Sequence, residues 1–379
     1  MPSRGLPDGG EECRMSLIGF FTAFWLWYLV IGVVSFIAAI VASVIGSKML
    51  KGVPRGLTGL KTSMWLTALA VITISALMLW VVVYVLGLSI GLLELSLFVV
   101  GFGLVQWIIA PYIINAVYRV HEAGPELEWL RVELERLAER AGFRKPPRLV
   151  VAETRIPNAF AYGNPITGYY VAVTRGILSL MPREELVGVI GHELGHLRHR
   201  DVQVLLALGL LPAIVYFVGR TLVLYGFLGG GGGEREEEGS LVLVLLGVLL
   251  VAASIVIHFL LRHFNRLREY YADAHSAIVL GSSKPLQRAL ARLHLAYTSN
   301  PRLVRELHNN ATASMLFIVN YIVDLLAAPV YDIDSVVEEL KRTKTSSFEE
   351  LFSTHPPVPK RLRFLDMVEE SLRNTLISP

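Results

Sequence analysis

A single cysteine, Cys13, stands in 379 residues, so the chain can close no internal disulfide and build no Cys-rich metal site. With one thiol the redox compartment is unreadable. Charge is scarce too: Asp, Glu, Lys and Arg make up 18% of the chain, against roughly 25% in a soluble domain. The abundance of apolar residues beside that low charge excludes a disordered chain and an ordinary aqueous enzyme. The charge imbalance is a formal +3 spread along the sequence, too weak and dispersed for a nucleic-acid partner. Glutamine occurs three times, a usage that fits a hot habitat, where amide side chains are labile. What is abundant is apolar: 53% of residues are hydrophobic and the mean hydropathy is +0.53. Part of the chain must be solvated by lipid. Length alone suggests about two or three domains.

Five apolar runs can cross about 30 Å of hydrocarbon, which takes roughly 20 helical residues. They are Leu17–Ile45, Trp65–Leu93, Leu95–Val117, Val204–Leu228 and Leu241–Leu261. The first is too long for a signal-peptide core and lacks a small-residue cleavage site, so it reads as a span. Glu94 and the Gly-rich turn before it divide the second run from the third, giving a tight helical hairpin, although 65–117 as one span stays open. Basic loops remain in the cytoplasm. Lys48, Lys51, Arg55 and Lys61 fill the first loop, Arg198 and Arg200 precede the fourth run, and Arg262, Arg266 and Arg268 follow the fifth. The Gly229–Ser240 turn instead carries Glu234, Glu236, Glu237 and Glu238 against Arg235. All agree on a multi-pass plasma-membrane protein with its N-terminus outside and residues 118–202 and 262–379 in the cytoplasm.

The fold expected is therefore a mostly α integral membrane protein of about five transmembrane helices, with a cytoplasmic α+β domain containing a small sheet. Residues 1–118 form the N-terminal transmembrane region, 119–202 and 263–379 the two parts of one water-soluble domain, and 203–262 a membrane hairpin between them. Glu126–Arg140, with Leu127, Leu130, Leu134 and Leu137 at helical spacing, predicts an amphipathic helix ended by Pro146-Pro147. Arg148–Ala152 and Gly168–Thr174 read as strands. Arg183–Asp201 reads as a helix opened by Pro182 and two acids. Ala313–Val330, apolar but short and holding Asn320 and Asp324, reads as a buried core helix, with an interfacial position the lesser alternative.

The strongest chemical signal is His192-Glu193-Leu194-Gly195-His196. On a helix, residues i and i+4 share one face, so both imidazoles can reach one metal ion, while Glu193 is offset and can hydrogen-bond a water on it. Zinc lowers the pKa of such a water to about 7, and the Glu takes its proton as it attacks a peptide carbonyl. The bland alternative is a helix with solvated polar residues. Ile190, Leu194 and Leu197 argue against it by giving this helix a buried side. A hydrolytic zinc site wants a third protein ligand and an open position. Glu269 is the best candidate, on the helical continuation of the fifth run and on the same side of the membrane. Asp273, one turn later, suits an acceptor for an imidazole N–H. Ala272, Ala274 and Ala277 would let the two helices press together. Against Glu269 stands a solvated charge run with Arg266 and Arg268, and His199 is a rival ligand, strained because three ligands would share one helix. His355, before Pro356-Pro357, is by itself more typical of a surface loop. Two imidazoles and a carboxylate would also accept cobalt or manganese.

At this point the chain resembles the HtpX-like family of membrane zinc metalloproteases, relatives of the proteases that process prenylated CAAX proteins. Four segments carry the resemblance: Asn158-Ala159-Phe160-Ala161, His192–His196, Glu269-Tyr270-Tyr271-Ala272-Asp273 and Thr354-His355-Pro356-Pro357. It spans about residues 118–370. It implies one zinc per chain held by His192, His196 and Glu269, Glu193 as general base, and Asp273 orienting a ligand. It also implies that the α+β domain is a zincin-type protease domain, that His355 lies near the site, where it could donate to the developing oxyanion, and that Asn158, Ala159 and Phe160 lie beside the cleft. An extended stretch there could let substrate add as a strand, though Phe160 also reads as plain core. The implied role is quality-control cleavage of damaged or misfolded membrane proteins under stress, with protein substrates and the lipid bilayer as partners. The family usually shows two spans before the protease domain, whereas three are counted here. Processing of one defined, lipid-modified substrate is the runner-up. A transporter or scaffold with an incidental His pair is disfavoured by spans almost free of polar residues beyond Glu94, Asn115 and scattered Ser and Thr.

Overall fold

A computed structural model describes residues 57–85, 92–198, 201–229, 234–299, 332–345, 353 and 355–377. The first apolar run, the helix expected over 313–330, and His199 lie outside the described residues. Two long helices come first, α1 (Leu57–Val85) and α2 (Leu92–Val117). Strand β1 (His121–Glu122) and a 3-10 turn (Pro125–Leu127) lead into α3 (Glu128–Arg140). Then follow β2 (Arg148–Ala152), β3 (Ala159–Asn164), β4 (Gly168–Thr174) and the short α4 (Arg175–Leu180). Helices α5 (Arg183–Arg198), α6 (Asp201–Gly229), α7 (Glu234–Leu280), α8 (Lys284–Thr298), α9 (Ile333–Arg342) and α10 (Val358–Ile377) complete the described chain.

Several boundaries differ from the sequence expectation. Glu94 itself lies inside α2, in its first turn, and the division between the second and third runs falls before it. Part of the Gly229–Ser240 turn is helical, because α7 already begins at Glu234. The helix expected over Arg183–Asp201 is described from Arg183 to Arg198, and its last expected turn falls partly outside the described residues. Strands β1 and β3 join the two expected ones, in the order β1-β2-β4-β3, with β2 parallel to β4 and the other pairs antiparallel.

Leu60–Tyr84 and Gly239–Leu280 are long and apolar enough to cross a membrane, while Leu104–Val117 and Pro212–Phe227 are shorter apolar stretches. Trp65, Leu69, Phe217 and Tyr225 point outward and uncovered. Exposed apolar surface on this scale marks a membrane or partner face. Against the expectation of spans almost free of polar residues, Gln106, Arg220 and His258 stand in the Leu104–Val117, Pro212–Phe227 and Gly239–Leu280 stretches, with His258 Nδ1 2.8 Å from the Ser254 carbonyl.

The core of the remaining chain lies between one face of the sheet (Leu149, Val151, Val171, Val173), helix α3 (Leu130, Leu134, Leu137) and helices α5 and α8. Each fully buried Leu contributes about 1.5–3 kcal/mol. Helix α7 has 47 residues, about 70 Å at 1.5 Å per residue. One rigid element therefore runs from the apolar hairpin to the heart of this core, where it packs on α5. The approach is close because α5 turns glycines toward α7. A Cβ at Gly195 would meet Ala272 Cα at 2.9 Å, and one at Gly191 would meet Ser276 Oγ at 2.9 Å. Ala272 and Ala277 supply the small side chains opposite.

Candidate metal centre

Helices α5 and α7 carry the centre on their facing sides. His192 and His196, one turn apart on α5, bring their Nε2 atoms to 3.2 Å of each other. From α7, Glu269 places Oε2 3.6 Å from His192 Nε2 and Oε1 3.4 Å from His196 Nε2. These three residues offer ligand atoms all within 4.8 Å of one another, a group that could hold a metal ion. Two imidazole nitrogens and one carboxylate are the donor set of a catalytic zinc site with its fourth position open. Glu269 Oε2 is moreover buried and, among the described residues, has only long contacts, to Arg361 Nη1 at 3.5 Å and His192 Nε2 at 3.6 Å, so a bound cation would complete its partners. The residues present fit the ion.

Glu269 is not part of a solvated charge run. It is buried, and so are Arg266 and Arg268, whose guanidinium groups serve internal acceptors rather than water. Arg266 Nη1 donates to the Ser353 carbonyl at 3.1 Å, tying the turn that carries His355 to α7. Arg268 Nη1 donates to Asn265 Oδ1 at 3.3 Å. The His355 side chain is buried as well, not at the surface, with Nε2 3.7 Å from Glu269 Oε1.

Electrostatics separates the three carboxylates. Burial would raise Glu269, but the imidazoles of His355, His192 and His196 outweigh it and hold the carboxyl well below its ordinary range. Asp273 is lowered too: burial opposes this, and the Arg361 guanidinium beside it prevails. Glu193 goes the other way, pushed up by burial although the two imidazoles and the Ala161 N–H pull it back. Burial takes His355 down to about 4 against the pull of Glu269, so it is neutral near pH 7.

Asp273 Oδ1 lies 2.9 Å from His192 Nδ1, the contact that fixes a metal-binding imidazole in one tautomer. Behind Asp273 is Arg361, the residue that the sequence reading missed. It is 0% exposed, donates from Nε and Nη2 to the two Asp273 oxygens at 2.8 and 2.6 Å, and reaches Glu269 Oε2 at 3.5 Å. Its signal was available: Arg361, Leu365, Val368 and Leu372 share one face of α10 at helical spacing. Arg361→Met is expected to weaken metal binding about 10–100-fold by releasing the carboxylate that orients His192. Stranding a buried charge would also lower stability by about 3–5 kcal/mol. A competition titration against a chelator, with thermal melts alongside, measures both; metal affinity equal to wild type would remove Arg361 from the centre.

Asn158, Ala159 and Phe160 are buried at the start of β3. Phe160 stacks against Tyr118 at 5.0 Å and Tyr162 at 5.7 Å between ring centroids, so its side chain is core. What β3 turns toward α5 is backbone, since the Ala161 N–H meets Glu193. Among the described residues no strand pairs with that outer edge of β3.

Residues 126–369 match the model described as Peptidase family M48. The Protease HtpX homolog of Aeropyrum pernix is 54% identical over 272 residues, covering 72% of this chain and 85% of its own. That of Thermoplasma acidophilum is 38% identical over 323 residues, covering 82% of this chain and 98% of its own. A crystal structure of S. mikatae Ste24p aligns with 80% of this chain and 66% of its own, at a TM-score of 0.45 and 17% identity. With most of its length matched in sequence to those HtpX homologs, and the His-His-Glu group in the matched region, the chain belongs to peptidase family M48 and is an HtpX-like metalloprotease.

Proposed function

We propose that this metalloprotease is a zinc-dependent endopeptidase of the plasma membrane that hydrolyses peptide bonds of misfolded or damaged membrane proteins at a cytoplasmic active site. The observation that carries the reading is the approach of Glu269 to both imidazoles, at 3.6 and 3.4 Å, across two helices separated in sequence by an apolar hairpin. In this reading 119–202 and 263–379 form one protease domain interrupted by the membrane hairpin 203–262, with 1–118 as the N-terminal membrane region. The distribution of Lys and Arg supports the cytoplasmic placement.

His192, His196 and Glu269 would hold one zinc per chain. Zinc bound there supplies a Lewis acid for the scissile carbonyl and brings the pKa of a water toward 7. The rest belongs to the chain. Glu193, buried between α5 and β3, takes the proton of the attacking water and returns it to the leaving amine, and burial, by raising its pKa, makes it a better proton acceptor than a free carboxylate. His355, neutral, donates an imidazole N–H to the oxygen that gains charge. Asp273, clamped by Arg361, keeps His192 in one tautomer.

The edge of β3 with which no described strand pairs would receive substrate as an added strand. Asn158, Ala159 and Phe160 are buried as whole residues, so an incoming strand would have to displace what covers this edge, and its contacts would then run through main-chain groups, which every sequence possesses. Such an edge accepts extended polypeptide and rejects folded protein, and this favours unfolded substrates. Purified protein is expected to carry about one zinc per chain and to cleave an unfolded protein, with cleavage stopped by a chelator and restored by zinc. Cleavage that persists after complete removal of metal would overturn the reading.

A further inference from the structure

The β3–β4 turn, Asn164-Pro165-Ile166-Thr167, stands beside α2, and three contacts show how far up that helix it reaches. The Tyr118 and Phe160 rings meet just beyond the helix end, with centroids 5.0 Å apart. Tyr162 Oη donates to Asn115 Oδ1 at 2.5 Å. Asn164 Nδ2 donates to the Trp107 carbonyl at 3.0 Å. The contacts climb α2 toward its N-terminus as β3 runs toward the turn. Trp107 stands ten residues before Val117, about 15 Å along the axis. The helix has 26 residues, about 39 Å, and so outruns a hydrocarbon core of about 30 Å by about 9 Å. Even with all of that excess at the cytoplasmic end, the tip of the turn reaches the hydrocarbon boundary.

The turn is also built for little water. Backbone at membrane depth must find its partners within the protein. Pro165 has no N–H, and the Ile166 and Thr167 N–H groups both donate to Asn164 Oδ1 at 2.9 Å. The Thr167 carbonyl accepts from Arg148 Nη2 at 2.9 Å and from Tyr170 Oη at 3.1 Å. What the turn leaves outside is apolar, with Ile166 66% exposed. Beneath it Arg148 lies over the Tyr170 ring at 4.7 Å and Tyr162 stacks on Tyr170 at 5.0 Å, the aromatic and cationic pairing that membrane interfaces favour. Along the same stretch of α2, Leu104, Ile108 and Tyr112 are uncovered.

We propose that the β3–β4 turn is a lipid-contact element, seating Pro165 and Ile166 in the headgroup–acyl boundary with Arg148 at the phosphate level. This rests on the reading of α2 as a membrane span. It makes the edge strand above Glu193 continuous with the bilayer surface, so a polypeptide drawn out of the membrane meets β3 before it meets water.

The test uses the full chain in phosphatidylcholine nanodiscs, on a Cys13→Ser background, with single cysteines carrying an environment-sensitive fluorophore. The sites are Ile166→Cys, Pro165→Cys as a second position on the turn, Ile108→Cys on α2, and Val132→Cys on α3 as the water-exposed control. Each labelled protein is first checked for chelator-sensitive cleavage of an unfolded soluble protein. Lipid spin-labelled on its acyl chain is expected to quench the turn and α2 sites several-fold more than Val132→Cys. Quenching at Ile108→Cys with both turn sites matching Val132→Cys would overturn the lipid contact alone. Absence of quenching at Ile108→Cys would overturn the span reading, and the proposal with it.

Discussion

Glu193→Gln is expected to retain full metal content and lose at least about 10²–10⁴-fold in kcat, equivalent to about 2.7–5.4 kcal/mol of transition-state stabilisation at 1.36 kcal/mol per decade. Glutamine matches glutamate in volume, so the packing between α5 and β3 survives, and its amide oxygen can still accept from the Ala161 N–H that meets Glu193. It cannot take a proton. Because proton transfer matters only in the reaction, KM should stay near wild type while kcat falls, the signature of an interaction made in the transition state alone. Chelator titration, elemental analysis and steady-state kinetics on the same preparation separate the cases. An unchanged kcat would reject Glu193 as base; a low metal content would make the loss a folding effect.

The two halves of the centre were legible in the sequence to different degrees, and periodicity explains the difference. His192 and His196 announce themselves because i and i+4 on a helix share a face, and the apolar positions around them fix which face is buried. The strands Arg148–Ala152 and Gly168–Thr174 carry the same bounds in the structure as in the sequence reading, being β-branched or aromatic and bracketed by turn residues. Strand β3 has no such mark. Ala159, Ala161 and Gly163 are poor strand formers, and the strand is held by its pairing with β4 and its cover from α2, which are tertiary facts. Arg361 was hidden among Lys360 and Arg363, where a run of cations reads as a solvated face. Its place on the apolar face of α10 and the need of Asp273 for a buried counter-charge single it out.

Glu269→Ala is expected to lose the metal and all proteolysis while keeping a cooperative fold. The carboxylate it removes is the one anionic donor of the His-His-Glu group, and the surrounding imidazoles hold it ionised, so it would bind a cation without first giving up a proton. Loss of an orienting partner behind a ligand already costs about 10–100-fold in affinity, and loss of the ligand itself should exceed the upper end of that range. Survival of the fold follows from Arg361, which keeps two hydrogen bonds to Asp273 when Glu269 is gone and is not left as an unpaired buried charge. Glu269→Gln is the companion variant: it preserves volume and one donor oxygen but not the charge, and its affinity should fall between wild type and Glu269→Ala. Elemental analysis after dialysis, together with thermal melts, reads the result. Full occupancy in Glu269→Ala would place the third ligand elsewhere, and His355, 3.7 Å from the same carboxylate oxygen, would be the first residue to test in its place.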